Sequence, residues 1–191
     1  MKETLKIALC QTPLDWEDSE ANLSRIEKML SELESGVDLA ILPEMFNTGF
    51  TMNASEVAQT MEGGAVNWLK SQSRNLEIAL CGSVVIESDG KFFNRFLWAE
   101  DGKIKSQYDK RHLFRMADEH HTFSPGKERV FITFKGWRVM PQVCYDLRFP
   151  VWSRTNDADL QIFVANWPAA RVDAWDKLLM ARAIENQCYV A

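Results

Sequence analysis

The sequence predicts a single α/β domain of mixed layers, on three observations. Short apolar runs stopped by turn residues recur along the chain and read as buried strands. Segments between them carry apolar residues at helical spacing. Two Asp-Gly pairs, at 89–90 and 101–102, fall between strand-like runs, where that dipeptide is a strong hairpin signal. The 191 residues are 46% hydrophobic and 26% charged, which excludes a disordered chain. At this size a core needs no disulfide staples, and no repeat or linker divides the chain.

Leu5 to Cys10 is the first strand, stopped by Gln11-Thr12-Pro13. Asp18 or Ser19 then caps a helix whose apolar positions Leu23, Ile26, Leu30 and Leu33 share one face, with Gly36 ending it. Val37 to Leu42 is a second buried strand, halted by Pro43 and followed at once by Glu44. Gly63-Gly64 precede a helix that turns Val66, Leu69 and Leu76 inward. A meander of three strands follows, Ile78 to Ile86, Lys91 to Ala99 and Lys103 to Tyr108. Val130 to Phe134 and Trp137 to Val143 pair across Lys135-Gly136. Leu160 to Ala165 is another buried strand, Arg171 to Gln187 a helix, and Cys188 to Ala191 the start of one more strand.

Composition narrows the function classes. A net charge of −5 argues against a nucleic-acid surface, which needs clustered Lys and Arg. The densest basic cluster, Lys110 to Arg115, is too short for a stripe. The three His residues pair with no Cys at zinc-finger spacing, so no metal or other cofactor is expected. The opening MKETLKIALCQ is charged, its apolar run is too short for a signal peptide, and no stretch is long enough to span a membrane. Four widely spaced cysteines without a C-x-x-C fit free thiols in a reducing cytoplasm.

Three strand ends carry groups with chemistry. Cys144 closes the apolar run Val139 to Val143 and opens the polar run Tyr145-Asp146-Leu147-Arg148, surroundings that suit a reactive thiol better than those of Cys10, Cys81 or Cys188. Glu44 closes its strand in the same way, and partial burial raises a carboxylate toward the range of a general base. Lys110 follows the Ile104 to Tyr108 strand. A nucleophile, a base and a cation are what attack of a thiol on an amide requires. A Cys–His pair using His112, His120 or His121 is the rival, and a non-catalytic scaffold is the alternative of another class.

The blocks L-P-E-M-F-N-T-G-F (42–50), Y-D-K-R-H-L-F (108–114) and V-C-Y-D-L-R-F-P (143–150) resemble the three signature blocks of the nitrilase, or carbon–nitrogen hydrolase, superfamily. With R-M-A-D-E-H at 115–120, the wording is most similar to the bacterial omega-amidases. The resemblance implies a four-layer αββα sandwich and a Glu44–Lys110–Cys144 triad, with Glu119 as a second active-site glutamate. It implies a small-molecule amide substrate, such as 2-oxoglutaramate or 2-oxosuccinamate, with carbamoyl compounds and nitriles as alternatives, and a homodimer. In that scheme Glu44 takes the thiol proton and Lys110 keeps the thiolate's pKa low. Arg148 is expected to bind a substrate carboxylate or else to form a structural salt bridge, with Phe46, Trp167 and Tyr145 as pocket walls. Val151-Trp152 stand where many relatives carry Glu after F-P. Family domains also continue beyond R-A-I-E-N-Q (182–187), so the single domain spanning 1–191 is expected to lack its C-terminal part.

Overall fold

The computed structural model describes residues 4–191; Met1 to Glu3, which open the charged start, lie outside the described residues. One sheet holds β1 (Ile7–Leu9), β2 (Leu39–Ile41), β3 (Ala79–Ser88), β4 (Lys91–Glu100) and β5 (Lys103–Asp109), hydrogen-bonded in that order. β1, β2 and β3 are parallel, whereas β3, β4 and β5 form an antiparallel meander. Both hairpin turns use the predicted Asp-Gly pairs, with φ of +52° and +68° at 89–90 and +51° and +73° at 101–102. Positive φ at both central residues matches the twist of paired strands. The second sheet holds β6 (Ile132–Phe134), β7 (Trp137–Val143), β8 (Leu160–Val164) and β9 (Tyr189–Val190), with β7, β8 and β9 parallel.

The sheets pack face to face. Leu39, Cys81, Phe96 and Trp98 of the first meet Val139, Val143, Leu160 and Ile162 of the second. The other face of the first sheet is covered by α1 (Ser19–Ser31) and α3 (Gly64–Asn75), which bury Ile26, Leu30, Val66 and Leu69 against Ala40, Leu80 and Leu97. α5 (Pro150–Ser153) and α6 (Val172–Asn186) lie against the second sheet and its loops: Ser153 hydroxyl donates to Gln142 and Arg182 donates to the Leu147 carbonyl. The architecture is the expected αββα sandwich. β3 is buried along its first eight residues because both faces are covered, which explains why it reads as an apolar run rather than an alternation.

Element ends differ from the sequence expectation for local reasons. Asp18 caps α1 by accepting from Ala21 N–H, but the helix stops at Ser31, well before Gly36. Leu33 still packs inward, and Gly36 (φ +78°) instead turns the chain toward β2. Three four-residue helices were not foreseen: α2 (Ala54–Val57), α4 (Glu119–Thr122) and α5. Single turns carry too few residues for a periodicity.

Candidate active site

The site lies beyond the C-terminal ends of β2, β5, β7 and β8. β5 runs parallel to β2 because two antiparallel steps separate it from β3, so the two ends fall on one side of the first sheet. Strand ends of this kind deliver side chains to a shared crevice.

Glu44 follows β2 by three residues and is entirely buried. The chain turns sharply after it, with Met45 at φ +47°, its N–H donating to Ser83 Oγ at 2.9 Å. Phe46 is thereby sent into the helix-facing core against Trp68, not into a pocket. A Cβ on Gly82 would come within 2.8 Å of the Phe46 ring, so glycine there admits it. The expected wall residue Phe46 is corrected on this ground, and Phe50, a turn further on, takes the place beside the site.

Lys110 follows β5 directly. Its N–H donates to the Asn94 carbonyl at 3.0 Å and its own carbonyl accepts from Gly126 N–H at 2.9 Å. The side chain is fully buried and its ammonium spends three hydrogen bonds on carboxylates: Glu44 Oε1 at 2.9 Å, Glu119 Oε1 at 3.0 Å and Glu119 Oε2 at 2.9 Å. Burial alone would depress its pKa, but Glu44, Cys144 and Glu119 outweigh that and hold it above the ordinary lysine value. Lys110 therefore stays charged. Glu119, on α4, is pushed up by burial and by Glu44, against the pull of Lys110 and the Phe114 N–H.

Cys144 sits where β7 breaks into a short 3-10 turn, at φ +47°, a conformation uncommon for a residue with a Cβ. Its thiol is raised well above the ordinary cysteine range, first by burial and then by the charge of Glu44 and a hydrogen bond to it. Lys110 pulls the other way and loses. The expectation that Lys110 keeps the thiolate's pKa low is corrected: the resting thiol is neutral, and its proton must leave as it reacts.

Two asparagines absent from the sequence reading complete the cluster. Asn94 Nδ2 donates to Glu44 Oε1 at 2.8 Å and to Glu119 Oε1 at 3.4 Å. The Asn166 N–H donates to Glu44 Oε2 at 2.9 Å, and its side-chain amide donates to the Glu44 carbonyl. Asn166 carried a usable signal, a polar residue just past an apolar strand; Asn94, inside β4, carried none.

Beside Cys144 opens a cavity of about 210 Å³, lined mainly by apolar groups including Phe50, Phe114 and Trp167. Tyr145, Arg148 and Trp167 line it as expected, and Arg171 joins them. Arg148 makes no ion pair among the described residues, so the salt-bridge alternative is not realised. Arg171 lies over the Phe114 ring at 5.3 Å. His112 turns Nδ1 to Asp146 Oδ1 at 2.8 Å rather than to the thiol. The His120 and His121 rings lie 3.9 Å apart, tilted by 40°, beside Asp118, the one His/Asp group among the described residues whose ligand atoms gather within 4.8 Å. It contributes nothing to the cavity lining.

An αββα sandwich with glutamate, lysine and cysteine gathered at its strand ends has the form of an enzyme that hydrolyses carbon–nitrogen bonds. The chain belongs to the carbon-nitrogen hydrolase family, whose pattern it matches over residues 6–191. It is 51% identical over 189 residues to the omega-amidase YafV of Yersinia enterocolitica, covering 98% of this chain and 73% of that protein. It is 34% identical over 191 residues to the 2-oxoglutaramate amidase of Bacillus subtilis, covering 97% and 74%. Among solved structures, XC1258 of Xanthomonas campestris, a CN-hydrolase superfamily protein with an arsenic adduct in its active site, superposes with a TM-score of 0.94 at 46% identity, covering 98% of this chain and 74% of that one. The Nesterenkonia amidase bearing acrylamide on its active-site cysteine superposes with a TM-score of 0.89 at 25% identity, covering 98% and 77%. Among the described residues no helix is long and apolar enough to cross a membrane.

Proposed function

We propose that the protein is an omega-amidase, releasing ammonia from the terminal amide of a small 2-oxo acid of the 2-oxoglutaramate or 2-oxosuccinamate type. The observation that carries this reading is the cavity at Cys144: small, largely apolar, with Arg148 and Arg171 among its lining residues and no carboxylate. A substrate with an anionic end and an uncharged amide end complements it, and guanidinium groups bind carboxylates bidentately. The similarity to proteins named omega-amidase and 2-oxoglutaramate amidase supports the same choice.

The chemistry follows from the groups. Glu44 accepts the thiol proton of Cys144 as sulfur attacks the amide carbon. The oxyanion forms beside the Lys110 ammonium, which Glu44 and Glu119 hold in place, and the backbone N–H of Tyr145. Glu44 hands its proton to the leaving nitrogen, the carbon–nitrogen bond breaks, and ammonia leaves a thioester on Cys144. Water, deprotonated by Glu44, attacks the thioester; the sulfur leaves, recovers the proton, and the acid departs. Glu119 holds Lys110 throughout.

Ammonia release from a panel of 2-oxo acid amides, carbamoyl amino acids and nitriles tests the assignment. The 2-oxo acid amides are expected to be turned over best, and Cys144→Ala to abolish turnover. No preference for them defeats the omega-amidase reading, and undiminished turnover by Cys144→Ala defeats the mechanism. A reducing cytoplasm is supported by four free cysteines. A homodimer is supported by the exposed Met180 and Ile184 of α6, and sedimentation at micromolar concentration tests it.

A further inference from the structure

Asp146 is a fully buried carboxylate that the mechanism leaves unused. It stands two residues after Cys144, and two of its partners, Tyr108 and His112, stand two residues before and two after Lys110. Asp146 Oδ2 accepts from the Tyr108 hydroxyl at 2.7 Å and from the Val143 N–H at 3.1 Å. Asp146 Oδ1 accepts from the His112 N–H at 2.8 Å and from His112 Nδ1 at 2.8 Å. Those four donors converge on one group, and three of them belong to the segment that carries Lys110. The donors are themselves held: Trp152 Nε1 donates to the Tyr108 hydroxyl at 3.1 Å, and the His112 ring stacks on Phe149 at 3.7 Å.

We propose that Asp146 is the positioning residue of this site, its carboxylate setting the separation between Cys144 and Lys110. This rests on the reading of Cys144 as nucleophile and Lys110 as its cationic partner. The backbone explains the need. Cys144 sits at φ +47°, and a residue with a Cβ stays in that region only where its surroundings over-determine it. Asp146 grips the N–H immediately before Cys144, while Arg182 Nε and Nη2 grip the Leu147 carbonyl behind it at 3.0 and 2.8 Å. The two ends of the turn are thus pinned, one to the lysine segment and one to α6. Asp146 lines no part of the cavity, so it acts through the two residues it spaces.

An acceptor-only group is required at this point. Each carboxylate oxygen faces two donors, and an amide in its place turns an NH₂ toward one pair. Asp146→Asn keeps the shape and breaks the acceptor set, so it is the variant of choice. Turnover is measured per reactive Cys144, titrated with iodoacetamide, so that misfolded protein does not count. Expected are a fall in kcat of at least 30-fold, a KM within threefold of wild type, and an alkylation-versus-pH profile moved to higher pH, because the influence of Lys110 on the thiol weakens with distance. Leu30→Ala, in the core under α1, supplies a variant whose melting temperature falls while its kcat per reactive site and its alkylation profile stay at wild-type values. Tyr108→Phe removes one of the four donors and keeps the test decisive where Asp146→Asn does not fold, with an expected fall in kcat of at least fivefold. Turnover per site within threefold of wild type with an unmoved alkylation profile, in whichever of the two folds, overturns the proposal. The alkylation of wild-type protein separates the two levels: if modification of Cys144 leaves turnover intact, the nucleophile reading fails; if it abolishes turnover, and the variants match wild type, only the positioning role fails.

Discussion

Glu119→Gln separates two effects that Glu119 exerts at once. Both of its carboxylate oxygens accept from Lys110 Nζ, at 3.0 and 2.9 Å, and one also accepts from the Phe114 N–H. Glutamine keeps one oxygen, so one of the two bonds to the ammonium is lost and an NH₂ faces the remaining donor. A hydrogen bond to a charged group contributes about 1.5–3 kcal/mol, and its loss from the ammonium that faces the oxyanion is expected to lower kcat by about 10- to 150-fold. The same substitution removes a negative charge that helps to raise the Cys144 thiol. Alkylation of Cys144 is therefore expected to reach its half-maximal rate at lower pH in the variant, so that the thiol becomes easier to ionise while turnover becomes slower. Ammonia release per reactive site gives the first quantity and the pH dependence of iodoacetamide kinetics into the alkaline range the second. A kcat within threefold of wild type, or an alkylation profile moved to higher pH, would refute the reasoning.

Arg148→Leu and Arg171→Leu, each removing the charge of one residue that lines the cavity, are expected to raise KM for a 2-oxo acid amide by about 10-fold or more with kcat little changed, since a charge-assisted bond to a carboxylate is worth about 1.5–3 kcal/mol; a KM unmoved in both variants counts against carboxylate recognition there. Gly126→Ala would place a Cβ 2.0 Å from the Asp109 carbonyl oxygen, a backbone atom that cannot swing aside, and would displace the N–H held by the Lys110 carbonyl. Overpacking of this kind costs about 1–3 kcal/mol, roughly a 2–12 °C loss of melting temperature at this size, and calorimetry finding no loss would contradict the contact. Stability is expected to fall as the medium becomes alkaline. Burial pushes the Cys10 thiol up from its ordinary value of 9.0 to about 11, so between those pH values the unfolded chain has shed a proton that the native state still binds. Fewer protons on the unfolded state means stability decreases with rising pH, and urea unfolding from pH 8 to 11 should show a shallower decline in Cys10→Ala.

How much of this was legible in the sequence depends on the range of the interaction involved. The hairpins at 89–90 and 101–102 were readable because Asp-Gly meets a local backbone demand, positive φ at two successive residues. Glu44 and Cys144 were readable because each closes an apolar strand; Lys110 follows a largely polar one and stood out only as a cation at a third strand end, and Glu119 was placed only through the family resemblance. Phe46 was misplaced because its direction is decided by Gly82 on the neighbouring strand, a contact that no local pattern records. Asn94 looked like one more strand residue, and its contacts reach the loop after β2 and α4, which no local pattern records. Asp146 was in view as part of a polar run, yet its partners lie 34 and 38 residues away.

The raised thiol changes how the site has to be understood. A cysteine activated by a lysine alone would rest as a thiolate and react with any electrophile that reached it. Here burial and two glutamates keep the proton on sulfur, and the charge of Lys110 is already shared between those glutamates. Moving the proton from Cys144 to Glu44 creates no new charge in the cluster: one negative charge passes from carboxylate to sulfur while Lys110 stays between the two carboxylates. When sulfur attacks, that charge passes on to the substrate oxygen, beside the same ammonium. One cation thus faces the negative charge at each stage, in surroundings too buried for water to share the work, and this is where fixed groups stabilise a transition state most strongly. The cost is geometric. A thiol that ionises only when Glu44 and Lys110 are both in place is useless if the Cys144 turn drifts, and that is why the chain holds the turn at both ends, through Asp146 on one side and Arg182 on the other.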